Sequence, residues 1–219
     1  MHGENRMLIE FITVGVFQSN CYLLIDEDSH EALVIDPGEE PDRILAKIEE
    51  LGVTPVSILL THAHLDHIMA VRQVKERYGV DVVMHADDQF IYSNMVDQAA
   101  RFGWTVEPPP PVDRFISDGD KIAFRGTDIT VIHTPGHSPG GVSFLLDCSP
   151  YLLFAGDALF AGSIGRTDLP GGDQATLLAS IKDRILSLSP ETVVYPGHGT
   201  HTTIGHESRT NPFLTVAGS

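Results

Sequence analysis

The stretch "VSILLTHAHLDH", Val56 to His67, runs from an apolar strand straight into four metal-binding side chains. "VSILL" is short, apolar and β-branched, which predicts a buried strand. "THAHLDH" then supplies His62, His64, Asp66 and His67. Imidazole nitrogen and carboxylate oxygen are ordinary ligands of zinc and similar ions. Successive residues of an extended chain face opposite sides, so His62 and His64 point the same way. Asp66 and His67 fall where the chain turns into a helix and can point elsewhere. Four such groups would crowd one tetrahedral ion.

Similar groups stand at other strand ends. His137 follows "DITVI", Asp157 closes "YLLFAGD", and His198 follows "TVVYPGH". Each lies just past the carboxyl end of an apolar run and beside a glycine that allows a tight turn. Residues at such ends tend to converge on one site in layered α/β folds. Seven candidates are too many for one four-coordinate ion and suit two ions that share a carboxylate and a water. His62, His64 and His137 would hold the first ion, Asp66, His67 and His198 the second, with Asp157 between them. Asp36 in "VIDPG" and His133 in "VIHTPGH" are expected to support ligands by hydrogen bonds. His2, His30, His85, His201 and His206 read as ordinary surface or core histidines.

The remaining chain follows the same logic. "MLIEFITV", "CYLLID" and "EALVID" read as strands. "PDRILAKIEELG" reads as a helix with Pro41 in its first turn and Gly52 ending it. "HIMAVRQVKERYG" and "DDQFIYSNMVDQAARFG" each predict a helix around the strand "DVVMHA". The four prolines of "WTVEPPPPVD" exclude regular structure. "KIAF", "DITVIH", "GVSFLL" and "YLLFAGD" predict strands, "DQATLLASIKDRILSL" a helix capped by Asp173, and "ETVVYPGHG" a last strand and turn. The order implies two packed sheets with helices outside, an α/β (α+β) fold in a single domain over residues 1–219.

Composition narrows the function. The 219 residues carry a formal net charge of -16. That charge repels phosphate backbones, so no nucleic-acid partner is expected. No apolar stretch is long enough to span a bilayer, and the N-terminus lacks an apolar signal core. Cys21 and Cys148 lie in apolar runs and read as buried thiols. The expectation is a cytoplasmic protein of undetermined oligomeric state.

"GHSPG", Gly136 to Gly140, matches the serine-hydrolase pattern G-x-S-x-G. The residue after the serine is Pro139, which has no N–H to donate to an oxyanion hole, and a strand follows instead of a helix. Ser138 is therefore read as a turn residue.

H-x-H-x-D-H followed by His, Asp and His at separate strand ends resembles the metallo-β-lactamase fold superfamily. The resemblance implies a four-layered αββα sandwich of two mixed sheets with outer helices. Through "TPGHSPG", "GSIGRTDLPGGD" and "TIGHESRTNPFL" the chain is most similar to glyoxalase II-type hydrolases, in the short form without the C-terminal helical domain. That likeness implies hydrolysis of a small-molecule thioester such as S-D-lactoylglutathione. The reaction would use two divalent ions, zinc foremost and iron or manganese as alternatives, and a metal-bridging hydroxide that Asp66 helps to orient. Phe102, Trp104 and the loop from Phe160 to Gly172, with Arg166, would line the substrate pocket. In the full-length enzymes basic residues of the missing domain contact glutathione. Arg166 is equally suited to pair with Asp168. "GRTD" also resembles persulfide dioxygenases, which use one iron held by two His and one Asp.

Overall fold

The computed structural model describes residues 6–215, and His2 lies outside them. The chain falls into two compact units. One runs to Met84 and takes in Gln89–Phe115. The other takes in His85–Asp88 and runs on from Ile116.

The first unit is built on a six-stranded sheet in the order β1 to β6, with β1 Met7–Val14, β2 Ser19–Asp26, β3 Glu31–Ile35, β4 Thr54–Leu59, β5 Asp81–His85 and β6 Arg114–Ile116. β1, β2 and β3 pair antiparallel, whereas β3, β4 and β5 are parallel. Helices α1 Pro41–Leu51, α3 Val71–Tyr78, α4 Gln89–Ser93 and α5 Met95–Ala100, together with the single turn α2 Leu65–Ile68, accompany this sheet. Ile44, Ile48, Val71, Val74, Ile91 and Met95 from the helices share one buried core with Leu23, Ile25, Val34, Ile58 and Val82 from the strands. The strand residues alternate, as a sheet face requires. Gly52 ends α1 in the left-handed conformation, as its sequence position implies.

The second sheet has the order β14-β13-β10-β9-β8-β7. Its strands are β7 Lys121–Phe124, β8 Thr127–His133, β9 Val142–Leu146, β10 Leu152–Gly156, β13 Val193–Pro196 and β14 Thr202–Thr203. β10 and β13 run parallel, and the other pairs are antiparallel. A small hairpin, β11 Leu159–Phe160 and β12 Ser163–Ile164, stands apart from it. Helix α6 Gln174–Ser180 opens on Asp173, whose carboxylate accepts the Thr176 N–H. Leu177, Ile181 and Ile185 pack on Ile132, Leu153 and Val194. α7 Ile204–Thr210 and α8 Pro212–Thr215 close the described chain. Two mixed sheets with accompanying helices are thus the α/β fold expected from the sequence.

Several local expectations need correction. The helix expected over "HIMAVRQVKERYG" is broken into α2 and α3, because Ala70 N–H donates to the Pro37 carbonyl instead of to its own helix. The helix expected from Asp87 is interrupted at Asn94, whose side chain turns back to Phe90 O. The end of the "DQATLLASIKDRILSL" helix widens into a π turn at Ile181–Ile185, closed by Leu186 N to Ile181 O. The short strands β6, β11, β12 and β14 carry too little periodicity to be read from sequence. Cys21 is fully buried, but Cys148 is only half-buried and bonds the carbonyls of Leu146 and Pro150.

Candidate metal centre

In the first unit the parallel strands set the geometry. Ile35 of β3 pairs in register with Leu59 of β4. The next residues therefore emerge side by side at the carboxyl ends, where open α/β sheets place their ligands. Asp36 bends sharply there, with φ 52°, an unusual conformation for a residue other than glycine. Its Oδ1 accepts Thr61 N–H at 2.7 Å, and its Oδ2 accepts the Thr61 hydroxyl at 2.5 Å. Oδ2 also lies 3.2 Å from His67 Nδ1. Asp36 thus bonds both Thr61 and His67, and it is fully buried.

These contacts fix tautomers. Of the two carboxylates beside the His67 ring, Asp36 is the nearer, 3.2 Å from Nδ1 against 3.4 Å between Nε2 and Asp66, so the proton is assigned to Nδ1. The Thr61 hydroxyl spends its single hydrogen on Asp36, so it accepts from His62 Nδ1, 3.0 Å away. Both rings therefore present Nε2 as a lone-pair donor, the form a metal needs. The rings of His62 and His67 lie 4.2 Å apart and those of His62 and His64 5.0 Å apart. His67 Nε2 is 3.4 Å from Asp66 Oδ2. The backbone of Asp66 is seated closely: its carbonyl accepts Ser19 Oγ at 2.7 Å, and a Cβ on Gly38 would sit 2.1 Å from the same oxygen. Gln98 holds the turn from the other side through Leu65 N–H.

The second unit repeats the principle. β8 and β10 both run antiparallel to β9, and β13 runs parallel to β10. The carboxyl ends of β8, β10 and β13 consequently lie at one edge of the sheet. His137, Asp157 and His198 follow those three ends. Asp157 Oδ2 lies 3.4 Å from His137 Nε2 and 3.4 Å from His198 Nε2. His137 Nδ1 faces the Arg166 carbonyl at 2.7 Å. A carbonyl can only accept, so Nδ1 carries the proton and Nε2 again offers its lone pair.

The donor set fits divalent metal. Ligand atoms on a tetrahedral ion with bonds of about 2.0–2.2 Å stand about 3.4 Å apart. A neutral imidazole lone pair facing a carboxylate at that distance is repulsive unless a proton or a metal cation lies between them. His62, His67 and His137 each have Nδ1 held and Nε2 directed away from that support.

Other expected residues take different places. His133 does not support His137. Its Nε2 bonds the Pro139 carbonyl at 2.9 Å, and its ring stacks on His85 at 4.3 Å. Desolvation, and after it the charge of His133, lowers the pKa of His85 below 6.5. The His137 turn is instead anchored by the buried Asp88, which accepts Ser138 Oγ at 2.9 Å and Gly140 N–H at 2.6 Å. Ser138 is a turn residue, as its sequence implied. Arg166 is engaged by Asp168 through two bonds of 2.7 and 2.8 Å. The same hydrogen bonds draw the Asp168 carboxyl down to about 2.

Trp104 packs partly on the core, while Phe102 is exposed. Phe17, which sequence reasoning missed, completes their cluster: its ring lies 5.2 Å from Phe102 and 5.8 Å from Trp104. It sits two residues before Ser19, whose hydroxyl bonds the Asp66 carbonyl. Asp88, Thr61 and the Arg166 carbonyl were also missed. An ordinary polar residue in a loop carries no sequence mark of such a role.

Residues 14–198 match the family model of the metallo-β-lactamase superfamily, and the chain belongs to that superfamily. It is 41% identical over 215 residues to hydroxyacylglutathione hydrolase GloC of Haemophilus influenzae, covering 95% of this chain and 98% of that protein. Among solved structures it is similar to BLEG-1 B3 metallo-β-lactamase, with 40% identity, a TM-score of 0.89 and coverage of 95% and 100%. It is also similar to TTHA1623 in a di-iron-bound form, with 44% identity, a TM-score of 0.85 and coverage of 94% and 100%. ETHE1 from Myxococcus xanthus matches at 30% identity and a TM-score of 0.79, covering 94% and 84%. The His and Asp clusters, within this family, fit a metal-dependent hydrolase. Among the described residues no helix is long and apolar enough to cross a membrane.

Proposed function

We propose that the chain is a dinuclear metal-dependent thioesterase acting on small thioesters of the hydroxyacylglutathione type. The observation that carries this reading is that Nδ1 of His62, His67 and His137 each meets a hydrogen-bond partner, which leaves Nε2 for a set that also includes Asp66 and Asp157. His62, His64 and His137 would hold one ion, Asp66, His67 and His198 the other, and Asp157 would be shared. When bound, two divalent ions lower the pKa of a shared water to about 7 and stabilise negative charge on the substrate carbonyl.

The chain's own residues supply the rest. Asp66, whose backbone carbonyl accepts the Ser19 hydroxyl, would orient the attacking water through the free oxygen of its carboxylate. The carbonyl carbon gains a bond to that oxygen and loses its bond to sulfur. The products are a carboxylic acid and a thiol, with no oxidant required. A thiolate leaves readily, so little acid assistance is needed. Phe17, Phe102 and Trp104 would bind the apolar part of the substrate. Zinc is the metal we favour; the likeness to a di-iron-bound structure makes iron the principal alternative.

The likeness to ETHE1 supports a second reading, a mononuclear iron enzyme that oxidises persulfides. One assay separates the two. The protein is supplied with S-lactoylglutathione while thiol release is followed, and with glutathione persulfide while dissolved oxygen is followed. Thiol release without oxygen uptake supports the thioesterase. Oxygen uptake without thiol release overturns it.

A further inference from the structure

We infer that Glu207 and Asn211 form a latch that positions the metal ligands of the second unit, acting from α7 and the residue that follows it. Glu207 is fully buried. Its Oε2 accepts Gly162 N–H at 2.9 Å and Asn211 Nδ2 at 2.8 Å, and its Oε1 accepts Thr202 Oγ at 2.6 Å. Asn211 Nδ2 also donates to the Ser163 carbonyl at 3.0 Å. Every one of these partners is neutral. A buried carboxylate without a cation is costly unless several donors converge on it. Here they converge, and two of the bonds grip the turn of the β11–β12 hairpin.

That hairpin is tied to all three ligands. Asp157 lies two residues before it, and Gly165 follows it directly. Gly165 N–H closes back on Ala158 O at 3.4 Å. A Cβ on Gly165 would stand 1.9 Å from the Asp157 carbonyl and 3.1 Å from His137 Nδ1, so the two strands meet where no side chain fits. The next residue, Arg166, supplies the carbonyl that holds His137 Nδ1. Phe160, within the hairpin, sets its ring edge-on to His198 at 5.9 Å. A displaced hairpin would move the carboxylate of Asp157, release the tautomer of His137 and remove the wall beside His198. Glu207 touches none of the ligands, so it is a positioning residue.

The inference rests on the metal-ligand assignment and not on the choice of substrate. The test loads the full chain with cobalt(II) or zinc(II). It compares wild type with Glu207→Ala, Glu207→Gln and Asn211→Ala by chelator competition, by the visible spectrum of the cobalt form and by thermal melting. Ile185→Ala, a cavity in the same core at a side chain with no part in the Glu207 hydrogen bonds, controls for lost stability. Removing an outer-shell partner of a metal site typically weakens binding about 10–100-fold. We expect that loss in Glu207→Ala, with an altered cobalt spectrum, a smaller loss in Glu207→Gln, and near-native affinity in the control. The latch is overturned if Glu207 and Asn211 variants keep native affinity and spectrum, or if Ile185→Ala loses as much. Should Glu207→Ala fail to fold, the Gln and Asn211 variants decide. A wild-type chain that takes up no metal would overturn the ligand assignment and the latch together. Normal metal uptake without thioester turnover would overturn only the substrate reading.

Discussion

Asp36 Oδ2 and His67 Nδ1 face each other at 3.2 Å with both side chains buried. The same carboxylate accepts both polar hydrogens of Thr61, and Thr61 in turn receives His62. One carboxylate at the end of β3 thus governs two ring orientations at the end of β4. Changing Asp36→Ala removes both controls and strands the buried Thr61 donors. The expected result is a loss of metal affinity of about 10–100-fold. A fall in stability of roughly 1–3 kcal/mol for the stranded donors should accompany it. Chelator competition and urea unfolding measure the two. Native metal affinity in the folded variant would contradict the assigned tautomers.

Ser138 lies in a motif that imitates a serine nucleophile, yet its hydroxyl is bonded to Asp88 and fully buried. Ser138→Ala is expected to retain turnover and to lose about 1.5–3 kcal/mol of stability, the range for a hydrogen bond to a charged group. Steady-state kinetics check this directly. Abolished turnover in a folded Ser138→Ala protein would revive the serine reading.

The exposed ring of Phe102 has no structural debt to the core. Phe102→Ala should therefore leave thermal stability near wild type. If the aromatic cluster binds substrate equally in ground and transition states, KM rises while kcat holds. An unchanged KM for apolar thioesters would remove this cluster from the substrate site.

His85 gives a pH prediction with a definite sign. Its pKa in the folded chain lies below 6.5, mainly because burial disfavours the charged ring. The unfolded chain therefore binds more protons in that range, and this contribution to stability falls as pH drops below about 6.5. Urea unfolding of the metal-free protein at pH 7.5 and pH 5.5 should show a smaller decline in His85→Gln than in wild type. Equal declines would show that the stacked pair with His133 does not contribute.

Much of this was legible in the sequence because it lies at strand ends. Apolar runs marked β4, β8, β10 and β13, and the His and Asp residues just beyond them were conspicuous by type. The Asp36 role could be anticipated because it follows the neighbouring strand β3. His133 misled, since proximity to His137 in sequence says nothing about which way a ring turns after a strand ends. Its partner proved to be His85, forty-eight positions earlier. The carbonyl of Arg166, the carboxylate of Asp88 and the latch at Glu207 act through tertiary hydrogen bonds. Such bonds join distant segments and leave no periodic pattern. The broken helices have the same cause, because a single backbone bond from Ala70 to Pro37 overrides a locally favourable helix.

The proposed function requires that His62, His64, Asp66, His67, His137, Asp157 and His198 together hold two metal ions. Elemental analysis of the purified chain, read as ions per polypeptide and repeated on Asp157→Ala, tests it most directly. Two equivalents are expected in the wild type, with a loss from both sites when the shared carboxylate is removed. A single equivalent of iron in a fully active wild-type chain would contradict it.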